Sequence, residues 1–102
     1  MELSAAQRER YERNLLVEGF TDRMQQALIA ARVAVVGAGG LGSAALNYLV
    51  AAGVGHLTLI ENDTVSLSNL QRQVLYTTAD MGRPKAEVAA MRLSRLNPGC
   101  DI

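Results

Sequence analysis

Four glycines fall within six residues at 37–42, directly after an apolar run, and this junction restricts the chain more than any other feature. In RVAVVGAGGLG at 32–42, the β-branched Val33, Val35 and Val36 show no polar alternation, which predicts a strand covered on both faces in a parallel sheet. Gly37, Gly39 and Gly42 match G-x-G-x-x-G, with Gly40 as an extra. The first glycine permits a sharp turn, the next lets a phosphate approach the backbone, and the last lets the following helix pack against the strand. The helix N-terminus near 41–45 then offers free N–H groups and a partial positive charge to an anion, for which a nucleotide phosphate is the obvious candidate. The same glycine pattern also serves as an ordinary strand-to-helix connection, so both readings stand at this point.

Glu61 weighs towards the nucleotide. A helix is expected over 43–52, a break at Gly53-Val54-Gly55, and a second apolar strand over 57–60. Glu61 ends that strand 19 residues beyond Gly42. A carboxylate about 20 residues after the glycines meets ribose hydroxyls in a βαβ nucleotide fold. A solvated carboxylate at a strand end is the bland alternative.

Composition limits the class. Ten basic and ten acidic residues in 102 leave no net charge, with 49% of residues hydrophobic, as expected of one soluble globular unit. Neutral balance argues for neither nucleic acid nor a membrane surface as partner. Glu2, Arg8, Glu9, Arg10, Glu12 and Arg13 interrupt the N-terminus, against a secretion signal, and no apolar run reaches the ~18 residues of a membrane span. Cys100 is the only cysteine, so an internal disulfide and a cysteine zinc cluster are excluded and a reducing cytoplasm is the expected location. His56 is assigned to a turn, with a structural role.

The flanking segments follow from local signals. Ser4 with Gln7 forms a capping box for a helix over 4–17, with Ala5, Tyr11, Leu15 and Leu16 as its apolar stripe. Arg10 and Arg13 read as solvent-facing partners of Glu9 and Glu12. Thr21 caps a second helix over 22–31 whose Met24, Leu28 and Ile29 are expected on the sheet. The polar stretch 62–73, NDTVSLSNLQRQ, is punctuated by Val65, Leu67 and Leu70, more regularly than a plain loop requires. Ser68 is expected to cap a short helix presenting Asn69, Arg72 and Gln73, and the Arg72 guanidinium matches phosphate in geometry and charge. A last helix opens at Gly82-Arg83-Pro84-Lys85, with Pro84 in its first turn, and closes at Asn97-Pro98-Gly99. Ala89, Leu93 and Leu96 should face the core. Arg83 and Lys85 at the positive end of a helix dipole make sense with an anion between them and the glycine loop. Neutralisation of Lys85 by Glu87 is the alternative.

RYER at 10–13, GAGGLG at 37–42, ENDTVSLSNLQRQ at 61–73 and GRPK at 82–85 together resemble the adenylyltransferases of the ThiF/MoeB/HesA superfamily, bacterial relatives of ubiquitin-activating enzymes. The likeness is strongest to the molybdopterin-synthase branch, with the thiamine-pathway branch close behind. It implies an α/β, Rossmann-like nucleotide-binding βαβ unit with a helical lead-in at 1–31, and at 32–102 the first part of an ATP-binding domain truncated at the start of a third strand near 100–102. It also implies Gly37, Gly39, Gly40 and Gly42 at the ATP phosphates and Glu61 at the ribose, where the family usually has aspartate. Asp63 corresponds to the second acid of the family's D-x-D, and Asn69, Arg72, Gln73 and Lys85 to residues around the α- to γ-phosphates, with Arg13, Arg72 and Lys85 catalytic. Arg13 corresponds to an arginine that reaches the opposite subunit's site in a homodimer. The implied reaction is adenylylation of the C-terminal carboxylate of a ubiquitin-like sulfur-carrier protein with Mg-ATP. The family's magnesium-binding aspartate and zinc cysteines would lie beyond Ile102. A non-catalytic nucleotide-binding or dimerisation module, and an NAD- or FAD-binding oxidoreductase half-domain, are the competing readings.

Overall fold

In the computed structural model, which describes residues 2–102, three short helices lead into a strand–helix–strand unit followed by a closing helix. They are α1 (Ala5–Arg10), α2 (Glu12–Leu15) and α3 (Asp22–Ala30), then β1 (Arg32–Val36), α4 (Gly40–Ala52), β2 (His56–Ile60) and α5 (Lys85–Leu96). The architecture is Rossmann-like α/β. β1 and β2 run parallel, with Val33 opposite Leu57 and Val36 opposite Ile60, as a helical crossover between adjacent strands requires. Asp101 bridges to His56 on the far side of β2, its N–H donating to Gly55 O at 2.8 Å and its carbonyl accepting from Leu57 N–H at 2.7 Å. The expected third strand therefore begins beside β2, and His56 opens β2 rather than occupying a turn.

The core lies on one face of the sheet. Leu46 and Val50 of α4 meet Val88, Ala89 and Leu93 of α5 over Val33, Val35, Leu57 and Leu59. Both crossover helices use that face, so Ala34, Val36, Thr58 and Ile60 look outwards, with Val36 79% exposed. A strand covered on both faces is thus not what β1 becomes. An uninterrupted apolar run records the preference for burial but not which faces this stretch of chain covers. On α5, Val88 takes the core position expected of Leu96, which is 43% exposed.

The Ser4–Gln7 capping box forms, but the helix expected over 4–17 breaks at Tyr11 into α1 and α2. The cause is long-range: Tyr11 is 5% exposed, and its hydroxyl accepts from the buried Asn97 Nδ2 at 2.8 Å. Asn97 also donates to Val50 O at 2.9 Å, and Arg10, rather than pairing with Glu9 or Glu12, donates to Leu96 O at 3.1 Å. Thr21 caps α3 as expected, yet Met24 is 48% exposed and Gln25 takes the buried position. Gln25 Nε2 donates to Ala52 O at 2.9 Å, and so does Asn14 Nδ2 at 3.2 Å. These amides satisfy a carbonyl left open at the C-terminus of α4, which an apolar side chain could not do.

Candidate functional site

The glycine turn stands at the carboxyl ends of β1 and β2. Gly37 adopts φ 94°, a conformation that favours glycine, and its N–H donates to Ile60 O at 2.8 Å. A Cβ on Gly42 would lie 2.1 Å from Gly37 O, so helix and strand approach closely there only because Gly42 lacks one. α4 begins at Gly40, three residues before the expected start, which puts Gly40 and Gly42 in its first turn. Its N-cap, Gly39, offers no side-chain acceptor, and the first internal bond is Ser43 N–H to Gly39 O at 2.8 Å. The leading N–H groups of α4 are therefore available to an anion.

Glu61 leaves β2 directly beneath this turn. Its Oε1 accepts from Ala38 N–H at 2.8 Å, and its Oε2 accepts from Asn62 and Asp63 N–H at 2.9 and 3.0 Å. The Ala38 amide, followed by those of Asp63 and Asn62, and the positive charge of Lys85 outweigh partial burial and hold the carboxyl below its ordinary value. Glu61 is thus an acceptor whose first bond goes to the loop itself. On the other side of Ala38, the Tyr76 hydroxyl donates to Ala38 O at 2.6 Å. Burial, with a further push from Glu61, raises Tyr76 to about 12, so the phenol keeps its proton throughout the physiological range. Neither Tyr76 nor the wholly buried Ala38 carries a sequence signal for this role, because the bond joins positions 38 residues apart.

The segment after β2 folds back onto the lead into α5. Thr64 bridges antiparallel to Pro84, Val65 N–H donates to Arg83 O at 2.9 Å, and Lys85 N–H donates to Asp63 O at 2.9 Å. Pro84 is consequently the N-cap of α5, outside its first turn, and Lys85 opens the helix. Lys85 is 4% exposed, with Nζ 3.7 Å from Asp63 Oδ2. Glu87 pairs instead with Arg83, at 3.2 Å. Arg83 also reaches Asp80 at 3.5 Å, so its charge is taken up by carboxylates and is not aimed at the glycine loop. The expected pair of anion-binding cations at this helix reduces to Lys85.

Residues 67–73 form a 3-10 turn, Leu67–Asn69, and a further turn, not the helix expected from Ser68; Ser66 precedes the turn and Ser68 lies within it. The turn delivers Gln73 beneath the loop, 4% exposed, with Nε2 3.5 Å from where a Gly39 Cβ would be. Gln73 Oε1 is buried without a hydrogen-bond partner among the described residues. Arg72 is exposed beside Gly40, its Cδ 3.8 Å from where a Gly40 Cβ would be, and Nη1 donates to Ser68 O at 3.3 Å. Asn69 is half-buried, and its carbonyl accepts from Arg72 and Gln73 N–H, so it shapes the turn that presents both.

The structure thereby gathers Gly37, Gly39, Gly40, Gly42, Glu61, Asp63, Arg72, Gln73 and Lys85 at one end of the sheet. Arg13 is not among them. Its neighbour Asn14 is bonded to Ala52 O at the C-terminus of α4, about 18 Å of helix away from the loop. Arg13 itself is exposed on α2. Asp80, which the sequence did not single out, secures the approach to Lys85. Burial alone would raise its carboxyl, but the Thr77 amide and hydroxyl, then Arg92 at 2.7 Å and Arg83, hold it below its ordinary value.

A groove of about 420 Å³ opens beside the loop, lined by Val36, Gly37, Ile60, Glu61 and Asn62. Its apolar Val36 and Ile60 suit a planar base and its Glu61 carboxylate a hydroxyl. Among the described residues no three His, Cys, Asp or Glu side chains are placed to hold a metal ion, and no helix is long and apolar enough to cross a membrane.

The profile of the ThiF family matches residues 11–102. The molybdopterin-synthase adenylyltransferase of Salmonella typhimurium is 55% identical over 99% of the chain and 41% of its own length. The sulfur carrier protein ThiS adenylyltransferase of Escherichia coli is 49% identical over 91% of the chain and 37% of its own length. Among solved structures, the E. coli tRNA N6-threonylcarbamoyladenosine dehydratase in complex with ATP superposes with a TM-score of 0.89 at 36% identity, over 99% of this chain and 41% of that one. The chain spans about two fifths of the length of the bacterial molybdopterin-synthase adenylyltransferases it matches.

Proposed function

This chain belongs to the ThiF family, and on that premise we propose that it carries the phosphate- and ribose-binding part of an ATP-dependent adenylyltransferase. The substrate is the C-terminal carboxylate of a ubiquitin-like sulfur-carrier protein, of the kind used in molybdopterin or thiamine synthesis. The observation that carries the reading is the convergence, around an uncapped glycine-loop helix terminus, of Arg72, the buried Lys85 and the Gln73 amide nitrogen beneath Gly39. The relatives named for molybdopterin synthase and for the sulfur carrier ThiS are 55% and 49% identical, against 36% for the tRNA-modifying one, which favours the protein carboxylate as acceptor.

A carboxylate is already a nucleophile, so no general base is needed when it attacks the α-phosphorus and pyrophosphate leaves. The demand is instead electrostatic, because two anions approach and charge grows on the phosphate oxygens. Arg72, Lys85 and the loop N–H groups meet that charge, Asp63 holds Lys85 in place, and Glu61 accepts from the ribose on the lone pair that Ala38 leaves open. Magnesium would accompany the phosphates. The described residues do not form a cage for it. The distance of α2 from the glycine loop supports the reading that Arg13 acts on the site of the opposite subunit of a homodimer.

ATP–pyrophosphate exchange dependent on a sulfur-carrier protein tests the reading. Arg72→Ala and Lys85→Met should each slow exchange about 10²–10³-fold, the usual cost of removing one transition-state charge partner. Protection of residues 37–42 and 69–85 from hydrogen exchange by NAD, with none by ATP, would overturn it in favour of a dinucleotide oxidoreductase.

A further inference from the structure

Ala38 is the pivot of the glycine loop, and both of its peptide groups are held by side chains. Its N–H donates to Glu61 Oε1 at 2.8 Å, and its carbonyl accepts from the Tyr76 hydroxyl at 2.6 Å. Ala38 is 0% and Tyr76 3% exposed, so the Ala38 carbonyl points into the protein. A trans peptide is planar, with the carbonyl and the next residue's N–H on opposite sides. Drawing Ala38 O inwards therefore turns Gly39 N–H outwards. No acceptor for Gly39 N–H exists among the described residues, and Gly39 caps α4 at the mouth of the site.

We propose that Tyr76 is a positioning residue of the ATP site, its hydroxyl aiming Gly39 N–H at the nucleotide phosphates. The inference rests on the ATP reading above and goes beyond it by separating the loop's amides. Ala38 N–H is engaged by Glu61 and is not a phosphate donor, whereas Gly39 N–H is. The restraint has to come from outside the loop. Rotation of the 38–39 peptide changes ψ of Ala38 and φ of Gly39, and glycine resists a change of φ less than any other residue. The backbone alone would leave that peptide free to turn its oxygen towards the phosphate, where two negative ends would meet.

Amide ¹H–¹⁵N spectra of the purified protein, titrated with ATP, test this directly. In the unaltered protein the Gly39 amide should move at least threefold further than that of Ala38. Tyr76→Phe keeps the ring and removes only the hydroxyl; it should weaken ATP binding about five- to tenfold and largely abolish the Gly39 displacement, while the Ser43 amide still responds. Unchanged affinity with an unchanged Gly39 displacement in Tyr76→Phe would overturn the proposal. So would a static Gly39 in the unaltered protein when its Gly40 and Ser43 amides respond, whether or not the variant folds. No response anywhere in the unaltered protein would overturn the ATP reading itself, and this inference with it.

Discussion

Gly42 and Gly37 hold the strand and the helix together by what they lack. A methyl group at 42 would sit 2.1 Å from Gly37 O, far inside contact distance, and the opposing atom is backbone that cannot swing aside. Gly42→Ala should therefore cost about 1–3 kcal/mol by overpacking and displace the N-terminus of α4. Urea unfolding would read the first effect and loss of ATP binding the second. An unperturbed stability would mean that the loop can move as a body. Gly40 is a contrast in the same motif: a Cβ there would meet only the flexible Arg72 at ordinary contact distance. At this scale the sequence was readable in part. The spacing of the glycines and of Glu61 announced the turn, but Glu61's bond to Ala38 and the role of Tyr76 were hidden, since neither has a local cause.

Among the elements, the polar stretch after β2 is the one whose shape local signals misjudged most. Ser68 suggested a helix, whereas residues 63–65 pair with the lead into α5 and pull the intervening chain into 3-10 turns. Asp80 anchors that arrangement. It is 2% exposed, accepts from the Thr77 amide at 2.7 Å, and pairs with Arg92 and Arg83. Asp80→Asn should cost about 2–3 kcal/mol, less than the ~3–5 of a fully buried pair because both arginines reach solvent. The pH dependence follows from the direction of its shift. A carboxyl held lower in the folded than in the unfolded chain stabilises above its ordinary value, and loses that contribution as pH falls through the folded one. The stability gap between the parent and Asp80→Asn should be full above about pH 5 and close progressively below about pH 4. A gap independent of pH would show that packing, not charge, is what Asp80 supplies.

For the whole molecule, α4 sets the geometry. Its N-terminus faces the candidate site, while its C-terminal carbonyls are held by Asn14, Gln25 and Asn97, which fasten the N-terminal helices to the other end. Arg13 rides on that distant end. As an exposed residue with no fixed partner among the described residues, it should be replaceable by alanine within about 0.5 kcal/mol of stability. Adenylation should nonetheless fall at least tenfold. Mixing Arg13→Ala with Lys85→Met protein should then restore about a quarter of the parent's activity, because half the dimers are mixed and each has one intact site. Absence of rescue would place the function of Arg13 within its own subunit.

What the sequence by itself determined is the local grammar: strand, glycine turn, helix and second strand, the caps at Ser4 and Thr21, and the family through its SNLQRQ and GRPK motifs. These depend on backbone freedom, capping and side-chain chemistry, each written within a few residues. Tertiary structure alone decided the break at Tyr11, the open face at Val36 and Ile60, the partner exchange that gives Glu87 to Arg83 and Asp63 to Lys85, and the double hold on Ala38. Each of these is a competition between groups far apart in the chain, and packing chooses the winner through distances that no local pattern encodes.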